Sequence, residues 1–320
     1  MIETSGTRGE SDSQERGGGR IPGAPGIPAF RIWGEGPSAL PVLISVPHAG
    51  RAYPPALLKD MRHPASAALK LEDRYVDRLA RVVARETGAT LLVAEAPRAM
   101  IDLNRAPEDV DWEMFGRSER PDGGAVPASR RALSGLGLIP RRLPGLGEIW
   151  RRRHEETELT ARIDGIHEPY HARLSELFRS VQERWGAALL IDLHSMPPLV
   201  PRAGQRAAQF VIGDRFGATC HGSLIAAAFA QLALDDRPVA HNRPYAGGYV
   251  MERHARPAEG RHAMQIEIDR SCYLDGRLAE PGGGFDATAA VLVGLVRRLA
   301  QTVTDLSPPM ADQAWPLAAE

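Results

Sequence analysis

Leu189-Leu190-Ile191-Asp192-Leu193-His194-Ser195 begins as an apolar run, turns polar at its tip and is stopped by Met196-Pro197-Pro198. A stretch bounded in this way reads as a buried strand of a parallel sheet. Such sheets bind ligands in the crevice outside the carboxyl ends of their strands, which places His194 at that mouth. Pro41-Val42-Leu43-Ile44-Ser45-Val46-Pro47 has the same design and is followed at once by His48-Ala49-Gly50. Met264-Gln265-Ile266-Glu267-Ile268-Asp269-Arg270 sets a carboxylate among apolar neighbours, and Met100-Ile101-Asp102-Leu103-Asn104-Arg105 ends in an amide and a guanidinium. Four strand-like runs with polar tips are the layout of an active site on an α/β scaffold.

Working outward from these runs, the pattern predicts an edge strand over Phe30–Trp33, a strand over Val42–Val46 and a helix over residues 69–86, with Gly88 as its stop. Glu72 and Asp73 would then sit in that helix's first turn, where carboxylates suit the dipole. Strands follow at 89–94 and 100–103. Residues 106–147 lose periodicity and fill with Arg, Gly and Pro, which suggests an inserted lid or binding loop, or else a mobile segment. Residues 148–185 read as helical, with a break or kink at Pro169. Beyond them come strands at 189–193, 209–213, near Val239 and at 263–269, and helices at 223–234 and 287–303. Strands alternating with helices argue for one α/β domain, a mostly parallel mixed sheet flanked by helices, over about residues 28–306. Residues 1–27, rich in Gly, Ser, Arg and Pro, are expected to be a disordered tail, and residues 307–320 a loose one.

The 320 residues can bury a large core, and 39 Lys and Arg against 40 Asp and Glu leave a net charge of -1. That balance gives no overall pull toward nucleic acid or an anionic membrane. Two cysteines, Cys220 and Cys272, rule out a disulfide framework and fit a reducing compartment. The amino terminus lacks the apolar core of a signal peptide, and no stretch is long and apolar enough to cross a bilayer, so a cytoplasmic enzyme is expected.

His48 and His194, each at the end of an apolar strand, are candidate metal ligands, since catalytic zinc takes neutral imidazoles and a carboxylate while keeping one position open. Glu72 and Asp73 both qualify as that carboxylate; an acidic first turn stabilising its own helix is the plain alternative. Glu267, inside an apolar strand, would have a raised pKa suited to a general base, against the alternative of a buried ion pair with an arginine. Asn104 and Arg105 offer an amide beside a planar fork for a substrate carboxylate. Arg98 and Arg270 add further cationic points. Asn242-Arg243-Pro244-Tyr245-Ala246-Gly247-Gly248-Tyr249 reads as a loop that lets backbone approach closely, or as a simple tight turn. His154, His167, His171, His254 and His262 read as ordinary surface residues. His167 and His171 have the i, i+4 spacing of a helical metal pair, but Pro169 lies between them and the Glu of HExxH is missing. Ser195 is no nucleophile elbow, because GxSxG is absent.

Taken in order, the blocks around His48, Glu72-Asp73-Arg74-Tyr75-Val76-Asp77, Ile101-Asp102-Leu103-Asn104-Arg105, Asp192-Leu193-His194-Ser195-Met196-Pro197, Arg243 to Tyr249 and Gln265 to Arg270 resemble the N-formylglutamate amidohydrolase family. That family is similar in fold to zinc carboxypeptidases and aspartoacylase, with a phosphorylase/hydrolase-like α/β sheet. The resemblance implies zinc held by His48, His194 and Asp73, with Glu72 as the alternative carboxylate, and Glu267 as general base with Arg98 near the developing oxyanion. It implies a small anionic N-acyl amino acid as substrate, bound by Asn104 and Arg105, with Arg243, Tyr245 and Arg270 as further contacts. One departure stands out: the HxxE motif of zinc carboxypeptidases is absent, because Arg51 occupies the third position after His48. An amidase for a different N-acyl amino acid, peptide or cell-wall amide, or a metal-free binding relative, are the rival expectations.

Overall fold

Short apolar runs that cannot stand alone as strands pair here into one large sheet, and amphipathic helices cover both of its faces. The computed structural model describes residues 16–34, 38–117, 129–201, 204 and 206–307. In chain order the strands are β1 (Arg16–Gly18), β2 (Phe30–Trp33), β3 (Val42–Val46), β4 (Thr90–Ala94), β5 (Arg142–Leu143), β6 (Gly147–Glu148), β7 (Ala188–Met196), β8 (Phe210–Gly213), β9 (Val239–His241) and β10 (Arg261–Asp269). The helices are α1 (Pro55–Asp60), α2 (Pro64–Leu71), α3 (Val76–Thr87), α4 (Arg130–Leu133), α5 (Glu156–Arg162), α6 (Glu168–Trp185), α7 (Gly222–Leu234), α8 (Tyr249–His254) and α9 (Phe285–Leu306). The main sheet runs β1-β2-β4-β3-β7-β10-β8-β9, while β5 and β6 form a separate hairpin. The central pairs β4-β3, β3-β7 and β7-β10 are parallel, as is β8-β9; the other three pairs are antiparallel.

Successive side chains of a strand face opposite ways, so each central strand feeds two cores. Leu189, Ile191 and Leu193 of β7 join Ile44, Val93 and Ile266 beneath α3, α7 and α9. Ala188 and Leu190 join Leu43, Leu92 and Ala263 on the other face, beneath α6. Each such buried Leu, Ile or Val side chain contributes roughly 1.5–3 kcal/mol. Toward the strand tips this second row turns polar, through Ser45, Asp192, His194, Gln265 and Glu267, all buried. The site therefore lies on the α6 side of the sheet, at the carboxyl ends of β3, β7 and β10.

Four expectations need correction. The tail expected through residue 27 is ordered from Arg16: β1 pairs with β2, and Ile21 is 1% exposed. Residues 1–15 and 308–320, expected as tails, lie outside the described residues. The single helix over 69–86 is two, α2 and α3, because Glu72 is extended and Tyr75 is left-handed at φ 57°. Residues 100–103 form a loop rather than a strand. The segment 106–147, of which 118–128 fall outside the described residues, is docked: Leu138 and Ile139 are buried, Leu138 N–H donates to Asp109, and Asp102 N–H donates to Leu138.

The expected break at Pro169 is a π turn, Ile163–His167, joining α5 to α6. Proline has no N–H for the carbonyl four residues back, that of Gly165. Arg20 N–H fills the gap at 2.7 Å, and a Cβ at Gly165 would press on the Arg20 carbonyl. The ordered amino-terminal segment and the irregular helix explain one another.

Candidate metal centre

His48 stands two residues past β3, His194 near the end of β7, and Asp73 in the break between α2 and α3. Their ligand atoms all lie within 4.8 Å of one another, and all three residues are buried. His194 Nδ1 is 2.9 Å and His48 Nδ1 3.6 Å from the same Asp73 oxygen, Oδ2. The break that delivers Asp73 is held from both sides. Asp73 N–H donates to the His48 carbonyl at 2.9 Å, and Arg270 donates to the Glu72 carbonyl at 2.5 Å. Glu72 turns away to pair with Arg74 at 2.9 Å. Of the two carboxylates left open by the sequence, the structure brings Asp73 to the histidines.

The far nitrogen of each ring meets a buried carboxylate: His48 Nε2 lies 2.7 Å from Asp102 Oδ1, and His194 Nε2 lies 2.9 Å from Asp192 Oδ2. A carboxylate behind an imidazole fixes the tautomer that turns the other nitrogen outward as a ligand and raises its basicity. Two Nδ1 atoms and one carboxylate oxygen, each ring backed in this way, fit a divalent cation of zinc's preferences. Asp102 and Asp192 were not singled out from the sequence. Asp192 had a signal, since residues two apart on a strand share a face. Asp192 is in turn fixed by Ser45 Oγ at 3.3 Å, whose hydroxyl lies 2.9 Å from that of the buried Tyr170.

Burial works to raise the Asp73 carboxyl, but His194 and His48 outweigh it and hold it well below the usual range. Burial likewise works to lower His194, and Asp192 and Asp73 overcome it, raising His194 well above its ordinary value. Both shifts describe one ion pair in the metal-free chain, and linkage fixes the signs. The His194 contribution is complete below its unfolded value of about 6.5 and is lost as pH rises through its folded pKa. The Asp73 contribution is present above about 3.9 and is lost as pH falls through its folded pKa. The metal-free chain is therefore expected to unfold at lower urea above pH 8 than at pH 6. A flat urea midpoint across that interval would contradict the pairing.

Glu267 stands beside His194 in the parallel register of β10 and β7. Its carboxylate accepts from Gln265 at 2.9 Å, and burial pushes its pKa up to about 7. Arg98 donates through Nε and Nη2 to Asp102 Oδ2, at 3.0 and 2.8 Å. The charges of Asp73 and Glu267 also act on it, as expected of a guanidinium near the centre. Asn104 is nearly buried: Nδ2 lies 3.3 Å from both Asp192 Oδ2 and His194 Nε2, and Oδ1 accepts from Val250 N–H at 2.9 Å. Arg105 donates to the carbonyls of Leu136 and Asn104 and lines a cavity of about 730 Å³ with Arg130, Arg131 and Tyr249. Tyr245 is half-buried and senses Glu267 and Asp73.

Two expected substrate contacts are placed otherwise. Arg270 is fully engaged with the chain, through Ser195 Oγ, the carbonyls of Leu69 and Glu72, and Asp73 Oδ1. It holds the loop that carries Asp73. Arg243 is exposed and lines a different cavity with Leu199, Val200 and His241, one that shares no residue with the centre. The five histidines read as surface residues are all buried, at 0–6% exposure.

Gly50 has a spatial role. Any Cβ there would collide with the Ala96 carbonyl, so only glycine lets the turn after His48 pack on the strand-end backbone. Gly50→Ala is expected to cost about 1–3 kcal/mol, the usual penalty of overpacking, read as a lower urea midpoint. An unchanged midpoint would show that the turn can shift freely.

The chain matches the family model described as N-formylglutamate amidohydrolase over residues 40–274, a span that holds every residue of the centre. It is 30% identical over 271 residues to the N-formylglutamate deformylase of Pseudomonas aeruginosa, a match covering 81% of this chain and 92% of that protein. A Pseudomonas putida protein of the same name is 30% identical over 239 residues, 74% of this chain and 82% of its own. The crystal structure of N-formylglutamate amidohydrolase from Ralstonia eutropha JMP134 superposes with a TM-score of 0.77 at 32% identity, covering 87% of this chain and 99% of that one. Among the described residues, no helix is long and apolar enough to cross a membrane.

Proposed function

The chain belongs to the N-formylglutamate amidohydrolase family, and from that premise we propose that it is a zinc-dependent amidohydrolase acting on an N-acyl acidic amino acid, N-formylglutamate above all. The observation that carries this reading is the pair of Nδ1 atoms turned onto Asp73 by carboxylates behind both rings, with Glu267 alongside. His48, Asp73 and His194 would hold the ion, which when bound supplies Lewis acidity to the scissile carbonyl and acidifies the attacking water.

The remaining work falls to the chain's own groups. Glu267, buried and raised toward neutrality, takes a proton from the attacking water and returns it to the amide nitrogen as the C–N bond breaks, releasing formate and the free amino acid. Arg98, oriented by Asp102, carries positive charge toward the developing oxyanion. Among the described residues, Arg105 has carbonyls and no carboxylate within hydrogen-bonding distance, Asp102 Oδ2 lying 3.9 Å away. A guanidinium left in that state at the wall of a cavity suits a substrate carboxylate.

Purified protein incubated with N-formylglutamate is expected to release formate, to stop on chelation and to recover with zinc. No formate from this or any other N-acyl amino acid would end the reading. Arg105→Ala is expected to raise KM about 10- to 100-fold, the worth of one charge-assisted hydrogen bond, and to erase the preference for acidic over neutral N-formyl amino acids. A variant that kept its preference would place the carboxylate elsewhere.

A further inference from the structure

His167, His171 and His254 are buried together where the π turn and α6 meet α8, and no step above uses them. Their hydrogen-bond directions follow from one fixed point. His171 Nε2 lies 2.9 Å from the Leu103 carbonyl, which only accepts, so Nε2 carries the proton. His171 Nδ1 must then accept, from His254 Nε2–H at 3.0 Å, and His254 Nδ1 accepts from Ser175 Oγ–H at 3.1 Å. His167 Nε2–H donates in the same way to the Arg105 carbonyl at 2.9 Å, while its Nδ1 has no partner among the described residues. Two neighbouring imidazoles, ring centres 4.5 Å apart, thus grip the backbone on both sides of Asn104.

The grip on Leu103 reaches the metal centre through one rigid unit. Leu103 C=O and Asn104 N–H belong to the same planar peptide and point opposite ways. His171 holds the first, and the second donates to Asp102 Oδ1 at 2.8 Å. That same Oδ1 lies 2.7 Å from His48 Nε2. We infer that His171, supported by His167, is a positioning residue for His48, acting through the Leu103–Asn104 peptide plane and the Asp102 carboxylate. Their i, i+4 spacing gives the arrangement its reason: it sets His167 beside His171 on the side of the helix that faces this loop.

The inference rests on the metal reading proposed above, and zinc affinity of the full chain, measured by competition with a chromophoric chelator, separates the two. His171→Phe is expected to weaken zinc binding about tenfold, the low end of what losing a partner behind a ligand costs. His171→Gln, which keeps an N–H donor near the Nε2 position, is expected to recover most of the loss. In an Asp102→Ala background, where the peptide has nothing to orient, His171→Phe is expected to add no further loss. A residue with only a structural role would lower the melting temperature without that pattern. Wild-type affinity in His171→Phe, or a loss that adds in full to that of Asp102→Ala, overturns the inference while leaving the metal reading intact. A wild-type chain that binds no zinc overturns both. Should His171→Phe fail to fold, His167→Leu is measured in the same way, and unchanged affinity there counts equally against it.

Discussion

Asp73→Ala is expected to yield a chain that holds no stoichiometric zinc and hydrolyses N-formylglutamate at no measurable rate. Asp73 is the one anionic member of the three-residue cluster, and its Oδ2 is the point on which both Nδ1 atoms converge. Deleting it leaves two imidazoles whose outer nitrogens stay tied to Asp102 and Asp192, too few donors for a site that needs three protein ligands. Neighbouring Glu72 cannot substitute, because its carboxylate is committed to Arg74 and its backbone carbonyl to Arg270. Glu72→Gln should accordingly keep its zinc. Elemental analysis of both variants decides the matter: zinc retained by Asp73→Ala, or lost from Glu72→Gln alone, would move the third ligand away from residue 73.

That choice between adjacent carboxylates shows where the sequence stops being legible. The strands carrying His48, His194 and Glu267 could be read directly, because a strand buried on both faces must be apolar until it reaches the crevice, and the change to polar residues marks the tip. Glu72 and Asp73 could not be separated, since the helical period runs unbroken through residues 69–86 with no Gly or Pro to mark a stop. The break there is enforced from a distance, by Arg270 gripping the Glu72 carbonyl and by the His48 carbonyl accepting from Asp73. Arg270 looked like a free cation for the same reason: its four partners are contributed by α2, β7 and the loop of Asp73, none of them its sequence neighbours. His167 and His171 looked exposed because their local sequence is polar. Their burial is decided by the docking of residues 102–105 and α8 against them, contacts that no local pattern announces.

Glu267→Gln is expected to lower kcat about 10³-fold while leaving zinc content unchanged, within the usual 10²–10⁴ contribution of a general acid–base group. The amide occupies nearly the same volume, so packing is kept, and residue 267 is outside the three-residue cluster. What is lost is the capacity to take a proton from water and hand it to the leaving nitrogen. The pH profile supplies a second, independent reading of the same residue. The competent form is the ionised one, so wild-type kcat/KM must rise with pH through the Glu267 pKa. Burial sets that acid limb above the ordinary carboxylate range, toward the metal-free value of about 7. The residual activity of Glu267→Gln should lack the limb altogether. A wild-type limb at ordinary carboxylate pH would mean that Glu267 is better solvated than its 7% exposure implies, and a limb that persisted in the variant would assign the proton transfer to another group.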